Sequence, residues 1–256
     1  MVRRERDGPV LRLVLDRPEV GNAFDASVVD GLEAGLEVAE RDDGVRVVVL
    51  AGAGKHFSAG ADLEYMRRMR GADRATNEAD ARRTQGVFAR VAACPKPVVA
   101  RVHGAARGGG VGLVAVADVV VASEAASFAF TEVRLGIIPA MISPFVIERL
   151  GPARARRLFL TGETFGTVDA VTWGLVDVAT SAADLDGAVA TVTGYLVRGG
   201  PRALAEAKRL VREVLAADAA SVADLTSRWI ADLRVSDEGQ EGMAAFFDKR
   251  PPRWVP

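Results

Sequence analysis

The 256-residue sequence predicts an α/β protein whose core alternates strands with helices and whose C-terminal part is helical. Three observations carry this. Apolar runs rich in valine recur at 10–16, 45–52, 97–104 and 118–123. Segments of helical length separate the first three of them. From Ser143 onward only helical patterns are expected.

Taken in order, VLRLVLD (10–16) alternates and is β-branched, so it reads as a strand closed by the turn signal RPEVGN. Asp25 opens an amphipathic helix to about Glu40. VRVVVLAG (45–52) is a second, more buried strand, and 61–70 and 74–93 read as helices. PVVARVHG (97–104) is the third strand, followed by RGGGVG (107–112) and a helix ending near Ala117. Asp118–Ser123 and Phe128–Phe130 are short strands. Helices are then expected in ERLGPARARRLFLTG, in VDAVTWGLVD, and over 183–198, 201–217 and 221–234.

Composition narrows the function. Hydrophobic residues make up 49% of the chain, ample for a packed core. A net charge of −1 supplies no basic field for nucleic acid or an anionic membrane, and Arg154, Arg156 and Arg157 read as a solvated helix face. One cysteine, Cys94, excludes an internal disulfide or a multi-cysteine metal site; two histidines, His56 and His103, argue against a histidine-rich metal cluster. MVRRERDGPV carries no apolar signal-peptide run, and no segment approaches about 18 uninterrupted apolar residues, so a cytoplasmic protein is expected.

RGGGVG places four glycines in six residues between two apolar segments. Three readings compete. Gly110 to Ala115 fits G-x-G-x-x-A, with Glu132 twenty residues past Gly112, but the strand–turn context of a dinucleotide site is wrong. AGAGK (51–55) fails as a P-loop, because His56 follows the lysine. A second reading is close packing of helix on strand. The third is an oxyanion hole: a glycine loop entering a helix presents free N–H groups to a developing negative oxygen. HFSAGADL (56–63) supplies a second such loop, with its helix expected to start at Ala61.

KHFSAGADLEYM, KPVVARVHGAARGGGVGL, SFAFTEVRLGIIP and EGMAAFFDKR together resemble the crotonase, or enoyl-CoA hydratase/isomerase, superfamily, in order from about Arg17 to Arg250. The resemblance implies a ββα spiral core over 1–195. It also implies a helical region over 196–256 that mediates homotrimers or dimers of trimers and completes the coenzyme A site. It places the thioester carbonyl between the N–H groups of Ala61 and Gly109. Coenzyme A would arrive as part of an acyl-CoA substrate, with no permanently bound cofactor and no metal. Ala59, Asp62 and Leu63 would lie near its adenine or pantetheine, Lys249 near a phosphate and Phe246 near the acyl pocket. Asp62 also reads as a carboxylate favoured at a helix N-terminus.

Hydratases of that family use two glutamates. The second is Glu132; where the first is expected stands Gly112. Family isomerases keep only the carboxylate corresponding to Glu132. The whole chain is similar to hydratases acting on 2-enoyl-CoA, while one carboxylate suffices for moving a double bond between C3 and C2. A non-catalytic CoA-binding protein and a nicotinamide enzyme are the remote alternatives. The run from the glycine triplet to ERLG resembles bacterial methylglutaconyl-CoA or carboxygeranoyl-CoA hydratases, whose substrates carry an extra carboxylate. Arg107 would pair with that acid or face solvent, and the room left at Gly112 would take a water or the acid itself. His103 reads as a strand-end structural histidine.

Overall fold

A computed structural model of the chain describes residues 1–255. β1 (Val2–Asp7) and β2 (Val10–Leu15) form an antiparallel hairpin turned at Gly8, where φ is +51°. β1 has no sequence signal, since only Val2 of VRRERD is apolar. It forms because an edge strand needs partners on one side only, and its charges meet water. α1 (Ala26–Arg41) starts where expected, with the Asp25 carboxylate accepting the Val28 N–H.

β3 (Val47–Gly52) is followed by α2 (Leu63–Arg70), α3 (Arg74–Ala93) and β4 (Val98–Val102). The α2 helix begins two residues later than expected, because Asp62 is its cap and Ala61 belongs to a β-bridge with Phe24. After β4 come β5 (Ala105–Arg107), α4 (Gly109–Val116), β6 (Val119–Ser123) and β7 (Ser127–Ala129). A 3-10 turn at Glu132–Leu135 precedes α5 (Ser143–Leu150) and α6 (Pro152–Thr161), which break at Gly151 with φ +77°.

The helix-only expectation beyond Ser143 is corrected. Two short strands return, β8 (Phe165–Gly166) and β9 (Val178–Thr180), separated by α7 (Thr167–Thr172). Strands of two and three residues are too short to show a period, and their partners are distant in sequence. α8 (Leu185–Arg198), α9 (Pro201–Ala216), α10 (Val222–Arg234) and α11 (Asp237–Phe247) complete the chain. The expected division at 195 falls inside α8.

The large sheet runs β1-β2-β3-β4-β6-β9, parallel except for the first pair; the small one runs β5-β7-β8. Twice the chain leaves the large sheet and at once enters the small one, β4 to β5 and β6 to β7. This repeated step builds the mixed α/β spiral. β3, β4 and β6 are covered on both faces. Val48, Leu50, Val98 and Ala100 pack with α1, α3 and α4 residues, while Val47, Val49, Val99 and Val121 meet Leu185 and Val189 of α8. Continuous valine runs suit such two-sided burial.

Candidate functional site

Two loops at the C-terminal ends of the parallel strands are laced together. The first runs beside β5: Ser58 N–H donates to Ala105 O (3.1 Å), and Arg107 N–H donates to Ser58 O (2.9 Å). Phe24 grips its other side, donating to Gly60 O (2.7 Å) and accepting from Asp62 N–H (2.9 Å). A parallel bridge of this kind turns the N–H of the intervening residue, Ala61, away from Phe24. Ala61 is exposed, and its N–H has no protein partner among the described residues.

The second loop repeats the device. Gly108 N–H donates to Ala129 O (3.1 Å), and α4 then begins at Gly109, whose N–H is one of those a helix start leaves free. Each free donor follows a glycine in the left-handed region, Gly60 at φ +96° and Gly108 at φ +46°. The loops touch: a Cβ on Gly110 would stand 2.8 Å from Ser58 Cβ.

Glu132 meets the second loop. A Cβ on Gly108 would stand 3.0 Å from Glu132 Oε1, so the carboxylate lies against the residue preceding the Gly109 donor. Its Oε2 is buried without a hydrogen-bond partner. Burial pushes the carboxyl above its ordinary value, and a bond from its own backbone N–H opposes this only in part. A partly desolvated acid against the loop that carries the Gly109 N–H can carry a proton at the α carbon of a carbonyl compound held there.

The room expected at Gly112 is absent. A Cβ there would stand 3.0 Å from Phe88 Cε1 and 3.1 Å from Ile142 Cβ, and closer still to Ile142 Cγ2. Both side chains are buried and fill the space, leaving none for a water or a substrate acid. Arg107 is also engaged: its guanidinium donates to Ser127 O (2.6 Å), Ser127 Oγ (2.9 Å) and Ala106 O (3.0 Å). It ties β5 to β7, so the pairing with a substrate acid finds those donors occupied. His103 is structural, its Nε2 donating to Gly54 O (2.8 Å), which leaves Nδ1 to accept from Arg101 (3.1 Å).

Residues 5–255 match the family described as enoyl-CoA hydratase/isomerase. The chain belongs to that family. The crystal structure of an enoyl-CoA hydratase from Shewanella pealeana ATCC 700345 is 38% identical, with a TM-score of 0.96, and the match covers 99% of this chain and 95% of that one. Pseudomonas aeruginosa AtuE is 36% identical with a TM-score of 0.95, covering 100% and 99%. The peroxisomal Delta(3,5)-Delta(2,4)-dienoyl-CoA isomerase of Arabidopsis thaliana is 30% identical over 100% of this chain and 96% of its own. Both activities of the family name are thus represented among its relatives.

In this hydratase/isomerase-family enzyme, Ala59 is exposed on the first loop, its N–H held by Gly21 O (2.8 Å). Leu63 is 72% exposed at the start of α2. Asp62 is buried and caps α2, accepting from Glu64 N–H (2.9 Å) and Tyr65 N–H (3.0 Å), with Arg17 at 2.9 Å. The Tyr65 bond and then the Arg17 partner hold its carboxyl below the usual range. Arg17 also lies 3.1 Å from Asp25, so one guanidinium ties the caps of α1 and α2. Asn22 staples the same region, its side-chain amide donating to Ala53 O (2.8 Å) and His56 O (2.7 Å). Arg17, Asn22 and Phe24 carry no sequence signal of these roles, since RPEVGN signals only a turn.

Phe246 and Lys249 are exposed, and no hydrogen bond or ion pair joins them to the loops or to Glu132 among the described residues. α11 and the tail tie elsewhere: Arg46 donates to Trp254 O (2.9 Å), Trp254 Nε1 to Arg198 O (3.0 Å), and the Arg202 and Ala203 N–H groups to Glu238. Arg46 precedes β3, at the end of the sheet opposite the donor loops. Among the described residues no group of three metal-ligating side chains occurs, and no helix is long and apolar enough to cross a membrane.

Proposed function

We propose that the enzyme adds water to, or removes it from, 2-enoyl-CoA thioesters, with Ala61 and Gly109 as oxyanion donors and Glu132 as its one acid–base carboxylate. The observation that carries this is Glu132 itself, half-buried against Gly108 beside the second donor, with its Oε2 buried and without a hydrogen-bond partner. The thioester oxygen accepts both N–H groups, and the donors stabilise the enolate that forms as water attacks C3. Removing one such donor costs on the order of 3 kcal/mol of barrier. Glu132 takes a proton from the attacking water and returns it to C2. One O–H bond and the C=C π bond break; one C–O and one C–H bond form.

A second reading is favoured by the filled space at Gly112: Δ3-to-Δ2 isomerisation. There Glu132 removes a proton from C2 of a 3-enoyl thioester and returns it at C4, with no water to hold. The same reading of the fold makes residues 1–195 the spiral core and 196–256 an assembly region. The exposed apolar faces of α9 and α10 support a homotrimer or dimer of trimers. Phe246 and Lys249 would then serve a neighbouring copy's coenzyme A, with Ala59, Asp62 and Leu63 serving their own. Cytoplasmic fatty-acid metabolism is the setting this chemistry fits.

The test incubates purified enzyme with crotonyl-CoA, 3-methylglutaconyl-CoA or a 3-enoyl-CoA and follows thioester products by chromatography and mass. Water gain on a 2-enoyl substrate, lost in Glu132→Gln, is the expected result. Migration of the double bond without water gain moves the assignment to isomerisation. Absence of both reactions overturns both readings.

A further inference from the structure

Phe24 touches both arms of the site. Its main chain holds the first arm, fixing Gly60 O and Asp62 N–H on either side of Ala61 at 2.7 and 2.9 Å. Its ring faces the second: a Cβ built on Gly109 would stand 3.5 Å from Phe24 Cδ2 and 3.6 Å from Cγ and Cε2, so the ring lies alongside the donor residue within reach of one methyl group. The ring is buried and backed by Phe88 in stacked contact, centroids 5.9 Å apart. Phe88 in turn meets Phe145 at 6.4 Å, so the ring cannot retreat into the core without displacing others.

Ser58 also joins the loops, but through Gly110, β5 and the Gly60 N–H (3.4 Å). Phe24 flanks Ala61 through its backbone and Gly109 through its ring. We infer that Phe24 is a positioning residue that sets the separation of the Ala61 and Gly109 N–H groups, a role that rests on reading those groups as the oxyanion donors. A rigid aromatic plane makes a better spacer than an aliphatic chain of several rotamers. Two donors acting on one oxygen demand a fixed spacing, because small misplacement at a reacting centre is expensive in rate.

The test uses full-length enzyme with Phe24→Leu, Phe24→Val and Phe24→Ala, each of which retains both main-chain bonds while shrinking the side chain. Turnover is expected to fall about 10- to 100-fold in Phe24→Ala with KM little changed, since the lost contact acts on the transition state. The second readout places a conjugated aryl-enoyl-CoA, at saturation, on the Glu132→Gln protein and on the same protein with each Phe24 change. Polarisation of its carbonyl by two aligned donors moves its absorption to longer wavelength. That red-shift is expected to decline in the order Leu, Val, Ala. The series keeps the test decisive if Phe24→Ala does not fold. A red-shift equal in all variants overturns the positioning role alone. Weaker probe binding with an unchanged red-shift makes Phe24 a wall of the site and also overturns it. No red-shift in the protein with Phe24 intact overturns the two-donor reading and the role together.

Discussion

Helix α4 runs eight residues and buries seven of them, whereas α9 runs sixteen and buries none. GGVGLVAV is apolar on every side, which suits only a helix surrounded by protein. PRALAEAKRLVREVLA is amphipathic, and its charged face binds the core: Lys208 pairs with Asp118 at 2.7 Å, and Arg212 donates to Ala92 O at 3.2 Å. Its apolar face is left over, with Leu215 73% exposed. Leu210 helps line a cavity of about 390 Å³ with Trp229, Ile230 and Leu233 of α10. One chain therefore packs the helix behind the Gly109 loop on all sides and leaves α9 with apolar surface unmatched. The free N–H of Gly109 is held rigidly because everything behind it is packed, which is what a preorganised donor requires.

The largest expected effect lies at α4's N-terminus. Glu132→Gln keeps the shape and removes the titrating group, so turnover should fall on the order of 10²–10⁴-fold in a rate assay on the substrate identified above. The same variant tests burial. In the folded state the carboxyl titrates above its ordinary 4.5, so the native protein holds this proton to higher pH than the unfolded chain. The stabilisation is full below the unfolded pKa and is lost as pH rises through the folded one. Thermal unfolding should thus show Glu132→Gln gaining on the parent near neutral pH and losing that advantage below about 4.5. Turnover of the parent should rise over the window where Glu132 ionises. An advantage independent of pH would show that the carboxylate is solvated.

Next in size is Gly112→Ala, which presses a methyl into Ile142 and Phe88. Overpacking of this kind costs about 1–3 kcal/mol, read as a lower Tm, and pairing it with Ile142→Ala should recover part of the loss. The smallest effect belongs to α9. Leu215→Glu should change the stability of the single chain by no more than about 0.5 kcal/mol, because nothing in that chain packs on it. Its readout is assembly: light scattering should show a smaller particle than the parent. Unchanged mass would mean that this part of α9 faces water in solution.

Local chemistry made much of the fold legible. Asp25 and Asp73 cap α1 and α3 through backbone N–H groups three residues on, so both starts are written within one turn of chain. The valine strands announce two-sided burial, and the small residues of HFSAGADL and RGGGVG mark where backbone must be bare. Ala61, Gly109 and Glu132 could be named together by resemblance, and the structure places all three around the laced loops.

What the tertiary structure alone decided concerns pairs far apart in sequence. β1 is a strand because β2 accepts it, not because VRRERD favours one. Gly112 looks like a vacancy in one dimension, and only the arrival of Ile142 thirty residues later shows it filled. Arg107 reads as a partner for a substrate acid until Ser127 takes its donors, and Phe24 carries no sequence signal of its place between Gly60, Asp62 and the Gly109 loop. Sequence periodicity reports how a residue meets its own helix or strand. Which distant surface fills the space beside it depends on how those elements pack, and that is where the site's shape is set.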